Sequence, residues 1–148
     1  MTGIRVTATM AASPEQVWAV IEDIESQTRW MEDAVAIRVT SSQRSGVGTR
    51  FDCDTQAGPF RLLDRMEVTE WDPPRVLGIR HTGVVTGRGR FLLEPADGGT
   101  RFTWDEDITF PWWMAGPAGG TVATPLLRRV WNRNLRNLKS LVERSEAV

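Results

Sequence analysis

The C-terminal stretch TVATPLLRRVWNRNLRNLKSLVER, residues 121–144, decides the fold of this chain. Its apolar residues recur every three or four positions, which places them along one side of an α-helix. Arginines crowd the remaining helix surface, where water solvates them. A helix this long with one broad apolar stripe needs a large apolar surface to cover it. The stripe consists of Leu127, Val130, Trp131, Leu135, Leu138, Leu141 and Val142.

The surface that covers this helix is predicted between residues 34 and 110. Apolar and polar residues alternate there in about six short runs, the period of strands with one buried face. Val35, Ile37 and Val39 form the first alternating set. Short strands joined by short turns indicate an antiparallel sheet. Glycine and proline turns separate the runs at residues 46–48, 57–59, 71–74 and 95–99.

The opening of the chain adds one strand and two short helices. Residues 4–10 alternate apolar and polar side chains, the period of a half-buried strand. Ser13, Pro14 and Gln16 then combine a capping box with proline at the first helical position, so a helix begins here. A second helical piece is predicted around residues 25–29. The predicted fold class is α+β, with a curved antiparallel sheet wrapped around the long C-terminal helix.

In this order the elements resemble the START-like superfamily, which includes START domains, birch-pollen-allergen-like proteins and polyketide cyclase/dehydratase proteins. The resemblance implies a helix-grip fold over residues 1–148 as a single domain. It also implies a deep hydrophobic cavity between sheet and helix. No single activity follows, because members bind lipids, carry hydrophobic ligands or cyclise polyketides. The matching pieces are residues 13–18 with Trp30, residues 70–77, residues 87–94 and 98–104, and residues 135–143.

The amino-acid composition excludes some classes of binding partner. The formal net charge is -1, so no broad basic field attracts nucleic acid. No apolar run reaches the roughly 20 residues of a membrane span, and residues 1–10 do not read as a signal peptide. We therefore expect a cytoplasmic protein without stable membrane insertion, either a monomer or a homodimer.

Neither a cofactor nor a metal site is predicted. The chain has one cysteine, Cys53, and one histidine, His81, which excludes an internal disulfide and a spaced set of zinc ligands. Residues 87–90, with the sequence GRGR, lack the helix and the lysine of a phosphate-binding loop. Cys53 is interpreted as a small apolar residue on the inner face of a strand rather than as a nucleophile.

Three ionisable residues interrupt the inward faces of the predicted strands. Side chains on one face recur at every second residue, which turns Asp64, His81 and Glu106 inward with their apolar neighbours. One hypothesis is that they line the pocket, orient a polar group of the ligand, or transfer a proton during an aldol-type cyclisation or dehydration. The alternative is that each lies near a strand end, where water solvates it.

A further set of residues is predicted to contact a ligand. Tryptophan suits the wall of an apolar pocket because its ring is large and flat. Each of the seven tryptophans could equally belong to the packed core. The predicted ligand-binding residues are Trp18, Trp30, Phe51, Leu62, Met66, Ile79, Phe91, Trp104, Trp131 and Asn134.

Three functions remain open at this point. The leading one is binding or transport of a small hydrophobic ligand, such as a lipid or a polyketide-like compound. The second is a cyclase or dehydratase that acts in the same cavity by general acid/base catalysis. The third is an accessory or toxin–antitoxin-type partner protein. Trp112 and Trp113, between glycines and prolines, could form a lid, touch a membrane surface or pack on the domain.

Overall fold

The computed structural model describes residues 2–58, 60–111 and 116–146. A first strand is followed by a short helix, a 3₁₀ helix, six further strands and a long helix, which confirms the predicted α+β fold class. The elements are β1 Thr2–Met10, α1 Pro14–Ile21, the 3₁₀ helix Ile24–Arg29, β2 Ala34–Val39, β3 Arg50–Ala57, β4 Phe60–Asp72, β5 Val76–Thr82, β6 Thr86–Ala96, β7 Gly99–Thr109 and α2 Gly116–Glu146.

All seven strands form one antiparallel sheet in the order β1-β7-β6-β5-β4-β3-β2. Strands β2 to β6 each pair with the next strand along the chain, and β1 pairs with β7, where Val6 lies opposite Trp104. The sheet curls into a half-barrel around α2. The helix is tied to the end of β1, because Lys139 Nζ donates to the Thr9 carbonyl at 3.2 Å and Glu143 accepts from the Ala11 N–H at 2.8 Å.

The predicted capping box starts α1. The Gln16 N–H donates to Ser13 Oγ at 3.2 Å, and the Ser13 N–H donates to Gln16 Oε1 at 2.8 Å. Pro14 occupies the first turn, where its missing N–H removes no helical hydrogen bond. The helix can therefore begin immediately after β1 and cover one end of the sheet with Val17 and Ile21, both fully buried.

The long helix begins earlier than the predicted residue 121. It starts at Gly116, so Pro125 lies inside the helix instead of near its start. Glycine and proline disfavour helix interiors, which is why the sequence at residues 116–120 reads as a loop. Proline also has no N–H, so the carbonyl four residues before Pro125 lacks its usual helical donor.

The predicted alternation in β2 is wrong at its first residue. Val35 is 55% exposed, whereas Ile37 is buried. The pairing of β2 with β3 shifts register between Ala34 and Ala36, which inserts one extra residue into the strand. Val35 lies at this insertion, which turns its side chain to the other face of the sheet. Val35 therefore faces water instead of joining Ile37.

The core is packed more tightly at one end of α2 than at the other. In the C-terminal half of the helix, Leu135, Leu138 and Val142 are almost completely buried against the sheet. In the N-terminal half, Leu127 and Trp131 line an internal space instead. The site therefore lies under the first half of the helix. Among the described residues, no helix combines the length and apolar character that crossing a membrane requires.

Candidate functional site

An internal cavity of about 140 Å³ lies between the concave face of the sheet and the N-terminal half of α2. Strands β3 to β7 provide most of its wall, and the residues of that wall are mainly apolar. Alternation along each strand explains this composition, because every second side chain points into the half-barrel. Seven of the predicted ligand-binding residues line the cavity: Phe51, Leu62, Met66, Ile79, Phe91, Trp104 and Trp131.

Two predicted tryptophans do not line the cavity. Trp18 of α1 is buried in an edge-to-face contact with Trp71, with ring centroids 5.3 Å apart. Trp30 is buried behind the wall, against Phe91 and Trp104. Their positions depend on how α1 and the 3₁₀ helix dock on the sheet. The alternation of side chains along a strand does not predict this docking. The prediction that they contact a ligand is therefore corrected to a packing role.

His81, Asp64 and Glu106 come together on the cavity wall. His81 Nδ1 lies 3.0 Å from both carboxylate oxygens of Asp64, and His81 Nε2 lies 2.9 Å from Glu106 Oε1. The residues are 6%, 9% and 8% exposed, respectively, and all three line the cavity. They are thus not solvated at strand ends, the alternative that the sequence left open. We call these three residues the His81 trio.

Glycine in β6 lets the trio form. Strand β6 runs between β5, which carries His81, and β7, which carries Glu106, and Gly89 lies directly opposite Glu106. A Cβ on Gly89 would stand 2.3 Å from Glu106 Oε1 and 2.9 Å from its Cδ. The missing side chain therefore allows Glu106 to cross β6 and reach His81. A glycine on the inward face of a strand is a sequence signal for such a close approach.

The charges of the trio depend on one another. Burial disfavours the imidazolium, but the charge of Glu106 and hydrogen bonds with Asp64 and Glu106 outweigh it and raise the pKa of His81 from 6.5 to about 10. His81 is then protonated at neutral pH, and both ring N–H groups donate. Burial raises the pKa of Glu106, and the charge of His81 opposes that rise. One imidazolium contacts two carboxyl groups, so the acidic groups of the trio outnumber its basic group.

A second polar cluster, missed in the sequence, joins α2 to the start of β2. Asp33 Oδ1 accepts from Asn134 Nδ2 at 2.7 Å, and Asp33 Oδ2 accepts from Trp131 Nε1 at 3.2 Å. Burial raises the pKa of Asp33, and these two hydrogen bonds oppose the rise. Asp33 also lines the cavity. It lies just before β2, where no periodic pattern indicates the direction of its side chain.

Asn134 was predicted to contact a ligand, but it does not line the cavity. Its side chain is fully buried, with its amide N–H donating to Asp33 and its Oδ1 accepting from the Glu32 N–H at 2.9 Å. Both polar atoms of the Asn134 amide therefore have hydrogen-bond partners within the protein. Asn134 is therefore corrected to a residue that positions Asp33.

The described residues include no cluster of three or more His, Cys, Asp and Glu side chains that could hold a metal ion. Cys53 lines the cavity, and burial raises the pKa of its thiol to about 11, so it holds its proton at neutral pH. A protonated, buried thiol is a poor nucleophile. Trp112 and Trp113 lie outside the described residues, so their role as lid, membrane contact or core stays a prediction.

A half-barrel sheet that grips one long helix, with an apolar cavity between them, defines a helix-grip fold, the fold of ligand-binding and cyclase-type proteins. Residues 1–143 match the family described as polyketide cyclase / dehydrase and lipid transport. The chain belongs to this family, as its resemblance to START-like proteins predicted.

Relatives and solved structures match this chain over nearly its whole length. An uncharacterized protein of Mycobacterium tuberculosis is 30% identical over 142 residues, which cover 91% of this chain and 81% of the relative. The crystal structure of TTHA0849 from Thermus thermophilus has a TM-score of 0.81 at 19% identity and covers 97% of this chain and 98% of its own. The Zhui aromatase/cyclase of a Streptomyces species has a TM-score of 0.70 at 16% identity, covering 96% and 93%. At these identities, the two structural matches show the fold alone.

Proposed function

We propose that this protein binds a small hydrophobic molecule in the cavity under α2. The observation that carries the proposal is an apolar cavity of about 140 Å³ with the buried His81 trio on its wall. Ligand sites typically combine apolar walls with a few convergent polar groups that orient the ligand. An engineered apolar cavity of roughly 150 Å³ takes up benzene. The space therefore suits a single ring, or a short chain, with one polar group.

The energetics of the trio also support binding. Burial of an ionised side chain costs several kcal/mol before pairing offsets it. Replacement of a buried ion pair by apolar residues of similar volume often stabilises a protein by about 1 to 4 kcal/mol. If these three side chains served only to fill the core, apolar residues at positions 64, 81 and 106 would make the fold more stable. Their chemistry is better suited to a polar group of a ligand.

Calorimetric titration of the protein with 2-phenylethanol, a neutral single-ring probe, tests the proposal. Leu62 lines the cavity, whereas its neighbour Leu63 is half-buried and is not part of the wall. Leu62→Trp would occupy part of the cavity, and we expect it to weaken binding at least tenfold. Leu63→Trp is the matched control and should leave the affinity within about twofold. Absence of saturable binding, or equal weakening in both variants, would overturn the proposal.

Catalysis is the second candidate, and the position of His81 between two carboxylates favours it. In an aldol-type cyclisation, Glu106 would take a proton from the carbon beside a carbonyl. That carbon would then form a bond with a second carbonyl carbon, whose oxygen would receive a proton from His81. Loss of the new hydroxyl group with a neighbouring hydrogen would release water. Groups with raised pKa values are suited to such proton transfers.

A turnover measurement distinguishes ligand binding alone from catalysis. The diketone 2,5-hexanedione cyclises to 3-methylcyclopent-2-enone with loss of one water, and it is small enough for the cavity. Recovery of the diketone unaltered after incubation supports binding alone. Product formation that is lost in His81→Gln supports catalysis. Equal rates in the two proteins would remove His81 from any catalytic role.

A further inference from the structure

The charged groups on the cavity wall are mostly acidic. Three carboxyl groups line it, those of Asp33, Asp64 and Glu106, and His81 is the one cationic side chain directed into it from the described residues. Arg90 also borders the cavity, but its neighbours Gly89 and Phe91 face inward, so its guanidinium points to the outer face of the sheet. There it forms a two-pronged ion pair with Glu70, at 2.9 and 3.1 Å.

Glu106 has one oxygen available to a ligand. Its Oε1 is engaged by His81, whereas Oε2 has no hydrogen-bond partner among the described residues. The residue is 8% exposed and lines the cavity, and Oε2 is not one of the fully buried atoms that lack a hydrogen-bond partner, so it is accessible from the cavity. A carboxylate oxygen that faces a cavity without a donor from the protein can accept a hydrogen bond from a ligand. The hydrogen bond is strongest when the donor carries a positive charge.

Aromatic rings surround the same space. Phe51, Phe91, Trp104 and Trp131 line the cavity, and the rings of Trp104 and Trp131 stack with centroids 4.8 Å apart. The face of an aromatic ring attracts cations, and tryptophan does so most strongly. Acidic side chains together with aromatic faces form a good environment for an ammonium group. The same environment repels a carboxylate or a phosphate, because the interaction between charges is strong away from water.

We propose that the ligand is a small aromatic or aliphatic amine whose protonated nitrogen binds at Glu106, with its apolar part in the cavity. This inference rests on the proposed function and specifies its ligand class. The ammonium would donate to Glu106 Oε2 and so supply the positive charge that the trio lacks. Asp33 and Asp64 add to the negative potential, and His81 opposes it.

A proton balance follows from the same arrangement. Burial favours the protonated form of Glu106 in the empty cavity. An ammonium group beside Glu106 would oppose that rise in pKa as His81 does, so binding favours the carboxylate form and releases any proton that the carboxyl group holds. The affinity for an amine should therefore rise with pH until the amine itself loses its charge. Binding of a neutral ligand should not show this rise.

Three probes of one shape test the proposal: 2-phenylethylamine, 2-phenylethanol and phenylacetate. We expect the amine to bind at least tenfold more tightly than the alcohol at pH 7.5, and phenylacetate to show no saturable binding. Calorimetry in buffers of different ionisation enthalpy measures the released proton. Equal or tighter binding of the alcohol, or saturable binding of phenylacetate, would overturn the amine assignment and leave the proposed function standing. Absence of binding by all three would contradict the proposed function itself.

Glu106→Gln tests the role of the carboxylate. It keeps the size of the side chain, and we expect the preference for the amine over the alcohol to fall to about twofold or less. Glu94→Gln is the matched control, because Glu94 is exposed on β6 and does not line the cavity. If Glu106→Gln fails to fold, the relative affinities of the three probes for the unmodified protein decide the question. Equal affinity for the amine and the alcohol would then refute the proposal.

Discussion

Gly89 lies opposite Glu106 in the pairing of β6 with β7, and a Cβ at position 89 would stand 2.3 Å from Glu106 Oε1. The atoms of Glu106 that would clash include Cγ and Cδ, both at 2.9 Å, so rotation of the carboxylate alone cannot relieve the overlap. The contact between Glu106 and His81 across β6 therefore depends on a residue without a side chain.

Gly89→Ala should move Glu106 away from His81. Because the charge of Glu106 contributes to the raised pKa of His81, we expect that pKa to fall from about 10 by about one to three pH units. The chain contains one histidine, so its ring resonances can be followed without assignment ambiguity in an NMR titration. Gly3→Ala is the matched control, since a Cβ there meets nothing within 4 Å. An unchanged pKa of His81 in Gly89→Ala would contradict the positioning role.

The stability that His81 provides should decrease as pH rises. Its pKa in the folded protein, about 10, lies above its ordinary value of 6.5, so folding favours the protonated ring. This contribution is fully present below pH 6.5 and is lost progressively as pH rises through 10. Its upper bound is on the order of a few kcal/mol.

Urea unfolding of the unmodified protein and of His81→Gln across pH 6 to 10 measures this contribution. The difference in free energy of unfolding between the two proteins should shrink with increasing pH. The pairwise comparison cancels the titration of other groups that behave alike in both proteins. A difference that stays constant, or that grows, would show that His81 is not held as the imidazolium.

Asn134→Ala should destabilise the fold through Asp33. The substitution removes the donor to Asp33 Oδ1 and leaves the Glu32 N–H without its acceptor. Unsatisfied buried polar groups cost about 1 to 3 kcal/mol each, so we expect a loss of roughly 2 to 4 kcal/mol in urea unfolding. Asn132→Ala, in the same helix, is the control, because Asn132 makes no side-chain hydrogen bond to the described residues. Similar losses in both variants would point to a general effect on α2.

Cys53 should be unreactive in the folded protein. Its thiol is buried, and burial raises its pKa to about 11, so little thiolate exists at pH 8. Reaction with a colorimetric disulfide reagent should be slow without denaturant and fast in concentrated urea. Rapid labelling of the folded protein would show that the cavity opens to solutes of that size. Slower labelling in the presence of a bound probe would place that probe beside Cys53.

Several parts of the site could be predicted from local patterns. Period-two alternation in β4, β5 and β7 correctly turned Asp64, His81 and Glu106 to the inner face, because strand geometry alone decides the face of a side chain. The capping box of Ser13 and Gln16 was predictable for the same reason, since all its partners lie within one helical turn. The functional roles of the trio remain predictions.

The alternation of inward and outward side chains gave wrong predictions where an element departs from regular strand geometry. The register shift in β2 reversed the direction of Val35, and a shift of this kind is visible only in the pairing with the neighbouring strand. Trp18 lies on α1 and Trp30 directly follows the 3₁₀ helix, so the docking of these two short helices decides whether either side chain reaches the cavity. Asp33 precedes a strand, outside any periodic pattern, so its contact with Asn134 could not be predicted.

The sequence by itself determined the order of the elements, the inner face of most strands and the apolar stripe of α2, because each depends on residues close together along the chain. Only the tertiary structure decided that His81 lies between Asp64 and Glu106, that Gly89 leaves room for this contact, and that the core stays open under the first half of α2. These features depend on strand register, sheet curvature and helix position. Contacts between residues far apart in the chain set all three.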